Sequence, residues 1–161
     1  MENKSEVVVS FSKVDLPYGW MGNMSPYKIE FEGKIWLTSE ALFQAMRFKD
    51  ESIRELIRLE KSPMSAKMKA KKFKDQMVVI PMSMEDVENM KKCVRLKMEQ
   101  HQVLREKLLR TGKFRIIEDI GIRRKERDMF WGAYKENDKW IGENTMGKIW
   151  MEIREELTKN V

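Results

Sequence analysis

The sequence predicts an α+β fold, predominantly helical, with one small β-sheet. Three observations lead there. A short β-branched run stands near the start, two further short runs alternate apolar and polar residues around a turn, and beyond Thr38 apolar residues recur at helical spacing. A length of 161 residues suits a single domain over 1–161.

Val7-Val8-Val9-Ser10-Phe11 reads as a strand, because β-branched side chains pack well on a pleated surface. Tyr18 to Pro26 carries two glycines and a proline, a turn-rich loop. Ile29, Phe31, Ile35 and Leu37 alternate with polar neighbours around Glu32-Gly33, the pattern of a β-hairpin. Thr38 or Ser39 caps a helix running through Phe48, with Leu42, Ala45, Met46 and Lys49 at helical spacing. Ile53, Leu56 and Ile57 mark a second short helix. Ser62-Pro63 starts a third, the proline sitting in the first turn where its missing N–H is no loss. Ser83 caps a fourth, whose Val87, Met90, Val94 and Met98 share a face. Val103, Leu104, Leu108 and Leu109 extend or follow it as far as Thr111-Gly112. Phe114-Arg115-Ile116-Ile117 reads as a strand, and a charged, turn-like stretch from Arg123 to Arg127 leads into a loop, Asp128-Met129-Phe130-Trp131-Gly132. Met146, Ile149, Trp150, Ile153 and Leu157 form the apolar stripe of a last helix behind Asn144 or Thr145.

Composition narrows the chemistry. With 32 Lys+Arg against 26 Asp+Glu the formal charge is +6, a mild attraction for phosphates rather than the dense stripe of a dedicated DNA binder. Lys67, Lys69, Lys71, Lys72 and Lys74 cluster, as a solvated face or as a rim that draws in phosphate. A single cysteine, Cys93, excludes an internal disulfide, and with the single histidine, His101, it is too little for a Cys/His zinc site. No apolar run approaches the ~20 residues of a membrane span. The start, Met1 to Glu6, is polar and lacks the apolar stretch of a signal peptide, so a cytoplasmic setting is expected.

Without a P-loop, dinucleotide fingerprint or nucleophile elbow, chemistry falls to carboxylates, aromatics and backbone groups. Gly22-Asn23-Met24-Ser25-Pro26 offers close backbone approach at Gly22 and a donor and acceptor at Asn23, unless it is an ordinary turn. In Trp36-Leu37-Thr38-Ser39-Glu40-Ala41-Leu42-Phe43-Gln44-Ala45, Glu40 and Gln44 are one helical turn apart and share a face. Glu40 serves the helix dipole, or works as an acid–base group walled by Trp36 and Phe43. Asp128 to Gly132 pairs a carboxylate with an indole, and Asn144 opens a helix whose free N–H groups suit a phosphate.

These segments, with Phe43-Gln44-Ala45-Met46-Arg47-Phe48, Ser62-Pro63-Met64, Glu118 and Asn144-Thr145-Met146-Gly147-Lys148-Ile149-Trp150-Met151-Glu152-Ile153-Arg154, resemble the NADAR superfamily of YbiA-like N-glycosidases over nearly the whole chain. The resemblance implies a YbiA-like domain with its core at about 11–157. It also implies hydrolysis of the C1′–N bond between a ribose or phosphoribose and a base or amine, with neither metal nor cofactor. The substrate would be ADP-ribosyl-guanine in nucleic acid or a phosphorylated riboflavin-biosynthesis intermediate, and no obligate protein partner and no membrane are implied. Glu40 corresponds to the family's catalytic glutamate, with Asp128 sharing the acid–base work or holding ribose hydroxyls. Trp131 stacks on the base, while Gly22, Asn23, Trp36, Gln44, Gly132 and Asn144 line the site. Arg47, Lys49 or Lys67 meets phosphate. Where the family commonly has His-Tyr after the glutamate, this chain has Ala41-Leu42, and a tryptophan usual in mid-sequence falls near Met82. A non-catalytic ADP-ribose or nucleotide-binding module is the alternative those departures raise, and a plain nucleic-acid binder using the lysine cluster is a third.

Overall fold

The structure, a computed structural model, describes residues 6–160; the polar start Met1–Ser5 lies outside them. In chain order the elements are β1 (Val8–Phe11), β2 (Ile29–Phe31), β3 (Lys34–Trp36), α1 (Ser39–Ala45), α2 (Glu51–Arg58), α3 (Pro63–Lys72), α4 (Met84–Gln100) and α5 (Gln102–Arg110). There follow β4 (Arg115–Glu118), α6 (Glu126–Trp131), β5 (Tyr134–Glu136), β6 (Lys139–Ile141) and α7 (Thr145–Lys159). Contacts divide the chain into two units, one of residues 20–102 and one of the segment up to Gly19 together with residues from Val103 onward.

In the unit of residues 20–102, β2 and β3 pair antiparallel, with Ile29 opposite Trp36. Glu32 and Gly33 both have positive φ, 50° and 78°, which matches the twist a two-residue hairpin demands. Helix α1 starts where the Thr38 hydroxyl accepts the Ala41 N–H at 3.1 Å, and all seven of its residues are buried against β3, α2, α3 and α4. A helix with no solvent face must satisfy its polar side chains internally. Helix α3 begins with a capping box between Ser62 and Ser65, and α4 with Ser83 accepting from Asp86.

In the other unit β1 and β4 pair in parallel, Val9 opposite Ile116, and α7 packs on β4 through Met146, Ile149, Trp150 and Ile153. The approach is close enough that a Cβ on Gly147 would lie 2.2 Å from the Ile116 carbonyl oxygen. Asn144 locks the junction. Buried, in the left-handed region at φ 54°, it accepts the Glu118 N–H at 3.0 Å and donates to Ile116 O at 2.9 Å.

The helical α+β class stands, with differences in detail. Among the described residues six strands form three two-stranded sheets rather than one small sheet. Helix α1 stops at Ala45, and Leu56 is 45% exposed, so Ile53 and Ile57 carry the buried face of α2. Residues 126–131 form a helix where a loop was expected, because the Asp128 carboxylate reaches back to the Lys125 N–H at 3.3 Å and caps the turn. The β5–β6 hairpin was not anticipated; its turn is Asn137-Asp138, both at positive φ.

Asn144→Ala leaves a buried N–H and a buried carbonyl unmet and keeps a residue with a Cβ in the left-handed region. At ~1–3 kcal/mol per unmet group, a loss of about 2–4 kcal/mol is expected in urea unfolding. Asn144→Gly removes the conformational part only and should recover about 1 kcal/mol. A loss under about 1 kcal/mol for Asn144→Ala would show that the junction does not depend on this side chain.

Candidate active site

The entry to α1 is tied to the Gly22-Asn23-Met24-Ser25-Pro26 loop. The Glu40 N–H donates to Asn23 O at 3.0 Å, and the Ser39 hydroxyl donates to Asn23 O at 3.2 Å and Oδ1 at 3.0 Å. Asn23 Nδ2 in turn reaches Met90 Sδ of α4 at 3.0 Å. The loop is held from below by Lys97, 1% exposed on α4. Its ammonium donates to Trp20 O at 2.6 Å, Ser25 Oγ at 2.8 Å and Gly22 O at 3.2 Å, and stands 5.3 Å from the Tyr27 ring centroid. Burial pushes this lysine down to about 7, so its charge is poised near neutrality.

Glu40 itself is 8% exposed. One turn on, Gln44 Nε2 donates to Glu40 Oε1 at 2.9 Å, as the shared helix face requires. Arg47 Nη1 donates to Gln44 Oε1 at 3.4 Å. The rest of that guanidinium forks onto Asp86, Nε to Oδ1 at 2.9 Å and Nη2 to Oδ2 at 2.8 Å, above the Phe43 ring. Asp86, fully buried, also accepts the Met82 N–H at 2.9 Å. Burial raises the Cys93 thiol on α4 well above its ordinary range, and the negative charge of Glu40 adds to it. What this unit offers is a nearly dry carboxylate with one side-chain donor on it and a cation one residue further along the chain of contacts. That arrangement can stabilise positive charge on a reacting atom or accept a proton from water.

Glu40, Gln44, Arg47, Asn23 and Gly22 thus belong to one connected cluster. Trp36 sits differently. It lines a cavity of about 180 Å³ with Phe31, Leu42, Ala45 and Met46, residues of the α1 side away from Glu40. Its Nε1 is the one buried side-chain nitrogen or oxygen without a partner among the described residues. Arg47, expected to meet phosphate, is instead taken up by Asp86 and Gln44. Lys49 is exposed and Lys67 half-buried, and neither makes an ion pair among the described residues. In the other unit Asp128 caps α6, Trp131 meets Phe130 edge to face at 4.9 Å, and Gly132 lies where a Cβ would be 2.5 Å from Glu118 O. Asn144 makes no cap bond with its side chain; it serves β4. Sequence reasoning passed over Asp86 and Lys97. Asp86 resembles any first-turn acid, whereas Lys97 stood seven residues after Met90, on the buried face of α4, and that position was the available signal.

Lys97 makes stability depend on pH. An unfolded lysine titrates near 10.4, so between about 7 and 10 the unfolded chain holds the extra proton. Folding stability should therefore rise with pH across that window and be flat below it, and Lys97→Met should abolish the rise. Urea unfolding of both proteins from pH 6 to 9 measures this; equal slopes would assign the dependence to other groups.

Comparison with known proteins identifies the family. The NADAR domain model matches residues 10–158, running through both units. The N-glycosidase YbiA of Escherichia coli strain K12 is 35% identical over 154 residues, covering 94% of this chain and 89% of that protein. The N-glycosidase Npun_R5314 of Nostoc punctiforme is 30% identical, with 94% and 93% covered. A riboflavin biosynthesis protein of Vibrio vulnificus is 29% identical over 98% of this chain but only 41% of its own length. The NMR structure of E. coli YbiA superposes with a TM-score of 0.79 at 31% identity, covering 98% of this chain and 91% of that one. The chain belongs to the NADAR domain family.

Proposed function

We infer that this chain is an N-glycosidase, and propose that its substrate is a phosphorylated ribosyl base of the riboflavin-intermediate type. The observation that carries the reading is the Glu40 carboxylate, 8% exposed and held by Gln44, at the position the YbiA-like resemblance gives to the catalytic glutamate. Breaking a C1′–N bond places positive charge on the sugar carbon, and a preorganised anion lowers that barrier more in a dry setting than in water. In this reading Glu40 stabilises the cation and takes a proton from the attacking water. With Arg47 committed to Asp86, the exposed Lys49 and the half-buried Lys67 remain of the three cations expected to meet phosphate. Two relatives carry the name N-glycosidase and a third a riboflavin-biosynthesis name, which supports the metabolite version. No helix among the described residues is long and apolar enough to cross a membrane.

One feature favours a second version, with ADP-ribosyl-guanine in nucleic acid as substrate. The segment 61–74 holds Lys61, Lys67, Lys69, Lys71, Lys72 and Lys74 and no acid. Removing those six from 32 Lys+Arg leaves 26 against 26 Asp+Glu, so the entire formal charge of +6 resides there. Lys61, Lys71, Lys72 and Lys74 are exposed, as are Met64 and Met68 beside them.

Glu40→Gln should keep substrate binding within about threefold and lower base release by about 10²–10⁴, read by mass spectrometry on both phosphorylated pyrimidine intermediates and ADP-ribosylated guanine DNA. Full activity in that variant would remove Glu40 from its role. Tight binding of ADP-ribose with no base released from either substrate would make the protein a reader instead. If the nucleic-acid version holds, Lys71→Gln/Lys72→Gln/Lys74→Gln should weaken DNA binding and reduce its log–log salt slope by roughly 2–3.

A further inference from the structure

The geometry points to Asp86 as a positioning residue for Glu40, acting at a distance through Arg47 and Gln44; it rests on the catalytic reading of Glu40. An amide side chain has two orientations, and which one is adopted depends on its neighbours. A guanidinium carries donors only, so Arg47 Nη1 facing Gln44 at 3.4 Å requires the amide oxygen on that side. The amide nitrogen must then point the other way, where it donates to Glu40 Oε1 at 2.9 Å. Glu40 is thereby offered a donor, the partner that suits a carboxylate anion.

This polarity is only as secure as Arg47. Its side chain is 11% exposed and is fixed by two parallel bonds to Asp86 and by the Phe43 ring 4.6 Å from its central carbon. Asp86 is anchored in turn at the first turn of α4, where its N–H donates to Ser83 Oγ at 3.2 Å, and by the Met82 N–H. In the run Met82–Asp86–Arg47–Gln44–Glu40, Met82 and Arg47 donate to Asp86, Arg47 donates to the Gln44 amide oxygen, and Gln44 donates to Glu40. Without Asp86 the guanidinium is free to leave, the Gln44 amide oxygen loses the contact that holds it, and its nitrogen is no longer fixed on Glu40 Oε1.

The test has a substrate-free arm. In ¹⁵N NMR of the wild-type chain the Gln44 side-chain NH₂ should show a hydrogen-bonded shift and slow solvent exchange, and both should return to free-amide behaviour in Asp86→Asn. Because that variant leaves a cation half-buried, Asp86→Asn/Arg47→Met, which removes both charges, repeats the measurement in a fold without a stranded charge. The kinetic arm follows base release. Asp86→Asn should lower kcat about tenfold or more with KM within about twofold, and should cost nothing further in a Gln44→Leu background, since the effect passes through that amide. A merely structural role would cost kcat equally in both backgrounds. Unchanged Gln44 resonances in both variants, or equal kcat losses with and without Gln44, overturn the proposal. A wild-type chain that releases no base from any substrate overturns the catalytic reading alone and leaves the NMR arm to decide the rest.

Discussion

A carboxylate that lies nine-tenths out of water needs donors fixed in place before it can be useful, and that need organises residues 20–102. Helix α1 has no solvent face, so its polar groups are met from within the helix and from the segments around it. Asn23 receives the Glu40 N–H and the Ser39 hydroxyl, Thr38 caps the helix, and Gln44 binds Glu40. The supporting groups lie on α4, which contributes Asp86 near its start and Lys97 near its end. One long helix therefore brackets the short one that carries the acid.

The two α4 groups solve different problems. Asp86 neutralises the Arg47 guanidinium, and a paired buried charge costs far less than a lone one. The Lys97 ammonium donates to three neutral oxygens, and burial lowers its proton affinity. The loop from Trp20 to Ser25 turns its carbonyls inward to meet this ammonium. That inward turn is what leaves the Asn23 carbonyl directed at the start of α1. The conformation of a loop that looks merely turn-rich in sequence is thus tied to a charge on a helix seventy-odd residues later.

Much of the fold was legible for this reason of locality. Thr38, Ser62 and Ser83 announce helix starts through bonds three residues long, and the Glu32-Gly33 turn sits between two runs of period two. The Glu40–Gln44 contact was legible as well, being an i, i+4 pair. What sequence could not show is which cations and acids find each other over long separations. Arg47 and Asp86 are 39 positions apart, Lys97 and Trp20 are 77, and neither pairing leaves a mark on periodicity. Arg47 therefore stood as one of three candidates for phosphate, while Asp86 was passed over. Helix α6 was missed because a cap made by Lys125 and Asp128 is hidden inside a run of charges.

The same geometry bears on the two departures from the family pattern. Ala41 and Leu42, which stand where His-Tyr is common, are 3% and 1% exposed, and Leu42 lines the cavity beside Trp36 rather than the Glu40–Gln44–Arg47 face. At Leu42, an apolar group in place of a polar ring changes how the α1 side away from Glu40 is filled. It leaves untouched each hydrogen bond that holds the carboxylate. Met82, near the place of a usual tryptophan, acts through its main chain: at φ 65° its N–H is turned onto Asp86 Oδ2. A side chain at that position is thereby relieved of the burden of fixing Asp86, and an aromatic ring is not what keeps the relay to Glu40 in register. Loss of the ring bears on what stacks against a substrate, while the acid and its supports remain assembled, so the departures speak to substrate choice more than to the capacity for catalysis.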